Sequence, residues 1–592
     1  MAFQGGYYLF KEPIVRGYGP NAHTAKDLSK LSEYTVEAVN LIQETLWQVN
    51  PFVMDTVNAL SAGGKDVIVD GETFLIIERP YNPREHKFDP KTNMPFVSGF
   101  RWPTEQWAVM TKEQKAQIRT SVAEEMSSYE ENLGIWRATK RLINTANEMS
   151  QFEKFYFPHN MDFRTRIYPI PTDLNPQSND LSKGLLRFTR GKRLGTDGVF
   201  WLGFTVASHW GEDKLSPKDR HLYAKKMLIE TDIEAWVDDP VNNRGWLKAD
   251  APFQFLASAY EWVWAHRLAD PESYISFLPG NLDGSCNGAQ HLSILSRDLV
   301  GATATNCRAG LKRYDLYQQI ADIVWEKLQA DAEAGVPEAL RWLVKMSDPA
   351  TRRKVVKRAV MTVPYGVTEY GVADFMIKDK HVTDGNNGVS KWDQAKYMRD
   401  LIMSSINKTL DKGRLLQFWF RDCAVLCAKH GKPMQWDTPA GSKVTQAYRN
   451  VIEKRIDAYN TKFVVYAEPD ADEEDEEFLE RLGMDEQKMG TAAPPNVIHS
   501  CDASHLQITV CRMADAGIRD FSMIHDSFGC HFADMGLMRD ILRQSIVDMY
   551  SDDYLKRWKE SVERYSGLTM PEPPATGEFD ITEILNSEFF FS

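Results

Sequence analysis

Two aspartates stand in settings suited to chemistry. Asp283 lies in Leu278-Pro-Gly-Asn-Leu-Asp-Gly-Ser-Cys-Asn-Gly288, and Asp526 in Ser522-Met-Ile-His-Asp-Ser-Phe-Gly529. Each follows a short apolar run and precedes a small residue, which predicts a carboxylate at a strand end with room beside it for a bulky ligand. Either alone reads equally well as a turn former or a helix cap. A third element, Thr351-Arg-Arg-Lys-Val-Val-Lys-Arg-Ala-Val-Met-Thr-Val-Pro-Tyr-Gly366, sets Arg353, Lys357 and Met361 at every fourth position, on one helix face. Like charges in a row repel, and a polyphosphate laid along the helix would supply the counter-charge through charge-assisted hydrogen bonds. A solvated basic face is the plain alternative. Pro364 lacks an amide hydrogen and disfavours helix at Val363, so the helix is expected to end there and project Tyr365 beside Gly366. Tyr365 then either stacks on a ligand or fills a core position.

Jointly, two carboxylates, a cationic helix and a terminal tyrosine fit phosphoryl transfer assisted by two metal ions roughly 3.5 to 4 Å apart. Magnesium suits the donors: it prefers oxygen and is held by one or two carboxylates plus substrate phosphates rather than an all-protein cage. The expected cofactor is Mg2+, two ions, one at the attacking hydroxyl and one at the leaving pyrophosphate.

These groups must be held by a large scaffold. The chain has 592 residues, 43% hydrophobic and 26% charged, enough for several domains. No run reaches the roughly 18 apolar residues of a membrane span, and the opening MAFQGGYYLFKEP has no apolar signal core. The seven cysteines show no framework spacing, which predicts reduced thiols. Cys423, Cys427 and His430 fall in an apolar helical run, where buried free cysteine is the commoner reading. The net charge of −13 is unusual for a nucleic-acid binder, but charge is segregated. Acid concentrates in Glu468 to Glu477, within an expected mobile surface insertion near 468 to 486, and base in Arg352, Arg353, Lys354, Lys357 and Arg358.

Apolar spacing predicts helix from about Leu31 to Ala62 and a long, mobile helical arm from Lys112 to Met149. Short β-type runs such as Phe155-Tyr-Phe and Arg166-Ile-Tyr begin near Phe152. Residues 312 to 430 read as mostly helical, and Pro433 to Tyr448 as a hairpin turning at Thr438-Pro-Ala-Gly441.

At the chemical motifs the sequence resembles the single-subunit RNA polymerases of bacteriophages, a family that includes mitochondrial enzymes and is related to right-handed DNA polymerases. The match is collinear, from Gly5-Gly-Tyr-Tyr8 through Phe157-Pro-His-Asn-Met-Asp-Phe-Arg-Thr-Arg-Ile-Tyr168, Asp283-Gly-Ser-Cys286, the Arg353 to Gly366 helix and His525-Asp526-Ser-Phe-Gly529 to Glu588-Phe-Phe-Phe-Ser592. The resemblance implies that Asp283 and Asp526 bind metal and that Lys357 contacts the phosphates and protonates pyrophosphate. Arg353 and Arg358 resemble its phosphate-binding neighbours. Tyr365, with His499 in Asn496-Val-Ile-His499 as its partner at the 2′-hydroxyl, resembles the selector of ribose. Arg166 resembles an arginine near primer and nucleotide, with a salt bridge to an aspartate such as Asp162 as the structural alternative, and His525 a residue that orients the metal loop. The tail ending at Ser592 resembles a foot packed near the active site.

The fold implied is a mostly helical α/β right hand. Residues 1–65 are expected to be a remnant N-terminal domain and helical lead, 66–150 a thumb, 151–311 the first part of the palm, 312–499 fingers carrying the 433–448 hairpin, and 500–592 the second part of the palm and the foot. Expected partners are DNA template, RNA transcript and NTPs, with no membrane. The family's large N-terminal domain lies ahead of the Gly-Gly-Tyr region, near which this chain starts. A separate N-terminal polypeptide or initiation factor, or a truncation, is therefore expected, with elongation but no specific initiation. The hairpin Trp436 to Tyr448 resembles the family's promoter-reading loop with side chains of its own. The phage resemblance implies a phage-encoded protein in the host cytoplasm, without a targeting segment. The competing readings are a DNA polymerase or primase sharing the palm, and an inactive subunit that clamps nucleic acid. A triad of His525, Asp526 and Ser527 is disfavoured because neighbours on a strand point to opposite faces.

Overall fold

The computed structural model describes residues 14–16, 31–100, 102–310, 313–382, 390–450, 453–458, 461–466, 473 and 475–592. Helices dominate, and the strands pair as short two-stranded antiparallel ladders. Gly5 to Tyr8 and most of the acidic run from Glu468 lie outside the described residues.

The main apolar core draws residues from both ends of the chain, among them Val39, Trp47, Phe188, Leu282, Val497 and Phe528. A second core lies wholly between Ala289 and Leu410, where helices Leu316–Glu333, Pro349–Thr362 and Lys391–Thr409 pack through Val324, Val356, Val360 and Ile402. The cationic helix is thus mounted on a unit with its own core. It ends at Thr362 as its proline demands, and a tight turn Val363–Tyr365 follows, closed by Gly366 at φ 77°.

The expected single helix over 31–62 is instead two, Glu33–Gln43 and Pro51–Ser61, separated by the strand Trp47–Val49. Trp47 pairs with Phe188 and is buried. Asn50 caps the second helix by accepting from the Val53 amide, and Pro51 occupies its first turn, so the cap and proline override the apolar period. The helix Lys112–Met149 does form, opened by a capping box between Thr111 and Gln114. The hairpin also forms, pairing Met434–Asp437 with Lys443–Gln446. One face of it is committed to the core: Met434, Trp436, Val444 and Gln446 are buried, and the Trp436 indole donates to Ser500 Oγ at 3.0 Å. Gln435, Asp437 and Lys443 lie on the other face and are half-buried. A second hairpin follows, Glu453–Ala458 with Thr461–Tyr466.

The segment leading into the strand that carries Asp283 is held by Glu261 of helix Pro252–Arg267. This buried carboxyl accepts from the Phe277 amide at 3.0 Å and from Ser276 Oγ. Burial outweighs those bonds and pushes its pKa from an ordinary 4.5 to about 7. The fold therefore binds this proton more tightly than the unfolded chain, so the stability it lends is complete below about pH 4.5 and is lost as pH rises through 7. Glu261→Gln is expected to be more stable than wild type by about 3 kcal/mol at pH 8 and equal to it near pH 4. Urea unfolding at both pH values reads the difference, and a variant less stable at pH 8 would refute the assignment.

Candidate active site

Asp283 closes the strand Pro279–Asp283, and Asp526 immediately precedes Ser527–His531. These strands pair antiparallel with Ser527 opposite Asp283 and Phe528 opposite Leu282, so both aspartates emerge at the same end of one ladder. Asp526 sits in a two-residue turn that Ile524 and Ser527 close by exchanging amide bonds of 2.9 and 2.7 Å, with His525 at φ 48°. Few side chains adopt that φ without strain, and the Gly284 amide donating to the Asp526 carbonyl at 3.1 Å helps hold the turn. Phe591 stacks edge-on against Phe528, and the Ser592 amide donates to the Asp283 carbonyl at 3.2 Å, so the tail does pack at this ladder.

Two cavities flank the Asp283–Gly284 turn. One, of about 440 Å³, is lined by Asp283, Asp526, Lys183, Arg220, Arg313 and Ser592. The other, of about 360 Å³, is lined by Gly284, Ser285, Cys286, Arg353, Lys357 and again Arg313. The cationic helix therefore faces the aspartate turn. Asp526 has its pKa pushed up to about 6, first by burial and then by the nearby Asp502 and Asp283 charges. Its ionised form calls for a cation. All the donors here are carboxylate oxygens, too few for a protein cage, which fits an ion that shares its shell with waters and phosphate. Among the described residues there is no cluster of three or more ligand side chains.

Of the cationic helix, Arg353 donates from Nε to Asp315 at 2.7 Å while still lining the cavity. Lys357 is exposed and has no ion-pair partner among the described residues. Arg358 is turned elsewhere, paired with Asp379 and lying 4.0 Å from the Phe375 ring centre, because residues 353 and 358 are separated by well over one turn. The structure does not bring it to either cavity.

Tyr365 is nearly buried, and its ring lies on His499 with centroids 4.6 Å apart and planes at 36°. His499 and Asp502 lie three residues apart on helix Glu486–Asp515, hence on one face. Arg166 reaches that face and donates to Asp502 through Nε at 3.0 Å and through Nη2, so its partner is Asp502 and not Asp162. Burial works against the Arg166 charge, but Asp502 outweighs it and holds the pKa above its ordinary value. His525 stacks edge-on against Tyr168 at 4.7 Å, and burial followed by the Arg166 charge lowers its pKa to about 4, which makes it a neutral prop of the turn. Sequence reading missed Arg164, Asp502 and Arg313. Arg164 lies inside the Phe157 to Tyr168 motif and Asp502 just beyond Asn496 to His499, but nothing local marks Arg313.

The chain matches the family model described as DNA-dependent RNA polymerase over residues 192–567, and it belongs to that family. It is 31% identical, over 100% of its own length, to the chloroplastic DNA-directed RNA polymerase 3 of Nicotiana sylvestris and to the mitochondrial DNA-directed RNA polymerase 1 of Arabidopsis thaliana. The chain spans 57% of the length of each of these relatives. Among solved structures it aligns with the POL domain of Pol1 from M. smegmatis in complex with DNA primer-template and dNTP, at TM-score 0.39 and 12% identity, covering 89% of this chain and 68% of that one. The expected mostly helical right-hand class accords with the family and with the helix-rich structure. Polymerases of this family use divalent metal ions. The expectation of a phage-encoded protein in a host cytoplasm is overturned by these relatives, which are named as chloroplastic and mitochondrial enzymes. The motifs are shared across the family and carry no address. No helix among the described residues is long and apolar enough to cross a membrane.

Helix Asn287–Leu295, which follows the Asp283 turn, meets the Tyr365 ring at Gly288, where an added Cβ would stand 2.7 Å from Cζ. Gly288→Ala is expected to cost about 1–3 kcal/mol by overpacking this contact. Adding Tyr365→Ala should cancel that cost, which unfolding of the four proteins in a double-mutant cycle would measure; additive losses would mean the ring is not the obstacle.

Proposed function

We propose that the chain is the catalytic part of a DNA-dependent RNA polymerase. It transfers ribonucleotides from NTPs to the 3′-hydroxyl of an RNA transcript under the direction of a DNA template, and releases pyrophosphate. The observation that carries this is the ladder that sets Asp283 and Asp526 at one end, facing cavities lined by Lys357, Arg353 and Arg313.

Asp283 and Asp526 hold the metal in this reading. Two magnesium ions, when bound, supply charge stabilisation at the attacking 3′-oxygen and at the leaving pyrophosphate. Lys357, which lines the cavity without an ion-pair partner among the described residues, is placed to hold the departing phosphates and to give them a proton, while Arg353 anchors the phosphate side and is pre-oriented by Asp315. Arg358 supports the helix through Asp379. Arg166 and Asp502 fix the floor beneath the sugar, Tyr365 and His499 flank its 2′ position, and His525 props the metal turn. The second core belongs to the fingers, 312–499; the palm comprises 151–311 and 500–592, with the foot at its end. Residues 66–150 make the thumb.

The test is extension of an RNA primer on a DNA template with magnesium and either NTPs or dNTPs. Wild type is expected to extend with NTPs. Asp283→Ala and Asp526→Ala should each lower the rate by about a thousandfold or more, and Lys357→Ala by about a hundredfold or more. Extension with dNTPs alone would favour a DNA polymerase, and failure of wild type to extend would leave the clamping reading.

A further inference from the structure

Residues 162–166 join the strands His159–Met161 and Ile167–Pro169, and the resulting loop points two arginines at one helix. Asp162 organises the loop. Its Oδ1 accepts from the amides of Arg164 at 2.9 Å and Arg166 at 3.2 Å, and its Oδ2 accepts from Arg164 Nε at 3.0 Å and Nη2 at 2.6 Å. Thr165 completes the turn at φ 70°, and its carbonyl accepts from Gln507 at 2.9 Å, which ties the loop to the helix of His499 and Asp502. Arg164 is left with one direction for its remaining nitrogen, and Nη1 lies 2.7 Å from His499 Nδ1.

A guanidinium has hydrogens and no lone pair to offer, so the nitrogen it meets must be the acceptor. Nδ1 of His499 therefore carries the lone pair, and in the neutral ring the proton is on Nε2. Burial, then the Arg166 and Arg164 charges, hold the His499 pKa well below its ordinary range, which keeps the ring neutral. Among the described residues Nε2 makes no hydrogen bond, while the Tyr365 ring fixes the plane of the imidazole.

We infer that Arg164, clamped by Asp162, is a specificity-determining positioning residue: by donating to Nδ1 it locks His499 as an Nε2–H donor directed at the 2′-oxygen of the incoming ribonucleotide. A 2′-hydroxyl oxygen accepts that hydrogen bond, and a deoxyribose leaves the buried donor unpaired, which is the situation in which a site rejects a smaller analogue. Arg164 itself touches no substrate atom in this arrangement; it acts through the histidine. The inference rests on the reading of Tyr365 and His499 as the pair at the sugar.

The experiment compares kcat/KM for NTP and dNTP on a primed template in wild type, Arg164→Met, Arg164→Lys, His499→Ala and the double variant Arg164→Met with His499→Ala. Arg164→Met is expected to lower the NTP/dNTP ratio roughly tenfold, chiefly through the NTP term. Arg164→Lys, which keeps a cationic donor, should restore most of the ratio, and in the His499→Ala background Arg164→Met should change it no further. Should Arg164→Met fail to fold, Asp162→Asn loosens the same clamp and is expected to lower the ratio in the same direction. A merely structural arginine would slow both sugars alike and leave the ratio at its wild-type value, and that result overturns the inference while the polymerase reading stands. A wild type that extends without preferring ribose overturns the sugar-pair reading, and one that does not extend overturns the function; either takes the inference with it.

Discussion

Everything at this site depends on one short antiparallel ladder between segments far apart in the chain. Asn281 and Ser522 are 241 positions apart, yet the Asn281 amide donates to the Ser522 carbonyl at 3.1 Å and to Ser527 Oγ at 3.2 Å, locking the two strands side by side. The ladder tolerates almost nothing between its layers. A Cβ on Gly529 would stand 2.6 Å from the Asn281 side chain, and one on Gly280 would run into Met535 and Phe532. The glycines within the ladder are therefore needed to pack the strands and a helix closely. With the register set at Ser527 opposite Asp283, the positions of both carboxylates follow. All the other groups are arranged around that fixed point.

Electrostatics then decides which charges remain for a ligand. The cationic helix displays five basic residues in sequence, but tertiary partners consume most of them. Arg352 lies 3.6 Å from the Trp325 ring centre and donates to the carbonyls of Met346 and Ser347, Arg353 is bound to Asp315, and Arg358 to Asp379. Lys357 alone both faces the aspartate turn and lacks a counter-ion among the described residues. On the other side Arg166 is spent on Asp502, leaving Asp283 and Asp526 as the acids with unmet demand. The net charge of −13 says little here, since a Debye length near 10 Å at 0.1 M salt confines the effective field to this local set.

Local signals made much of this legible. The Asp-Gly and His-Asp-Ser settings announced strand ends, the Val363-Pro364 step announced the end of the helix, and the period of Lys112–Met149 announced a helix that forms with those bounds. What was not legible depends on partners distant in sequence. Asp162 is nearer to Arg166 in the chain, but it is occupied by Arg164, and the helix beginning at Glu486 supplies Asp502 instead. The outward turn of Arg358 follows from Asp379 and Phe375, which no pattern within the helix reveals. The hairpin at 434–446 was recognised by its turn, but burial of its side chains is set by Ser500 and Met489. The break after Gln43 is different: Asn50-Pro51 is a readable start signal that the stronger apolar period obscured.

Helix Glu486–Asp515 is the element on which these parts converge, and its prolines bear on how it does so. Pro494 and Pro495 stand inside it, so two amide donors are missing and the carbonyls one turn earlier, on Gly490 and Thr491, lose their helical partners. The Thr491 carbonyl lies where the turn after Tyr365 packs: a Cβ at Gly366 would be 3.1 Å from it and 3.3 Å from the Pro495 ring. Gly366 needs its freedom twice there, for a positive φ and for this close approach. One turn further along, the same helix presents His499 to Tyr365, and three residues beyond that Asp502 to Arg166. The second core therefore meets the main one at a place where regular helix bonding has been given up. The Tyr365 ring stacks on His499 and lies close enough to Arg166 and Asp502 for their charges to act on it. The two prolines and the glycine thus set where the Tyr365 turn packs against this helix.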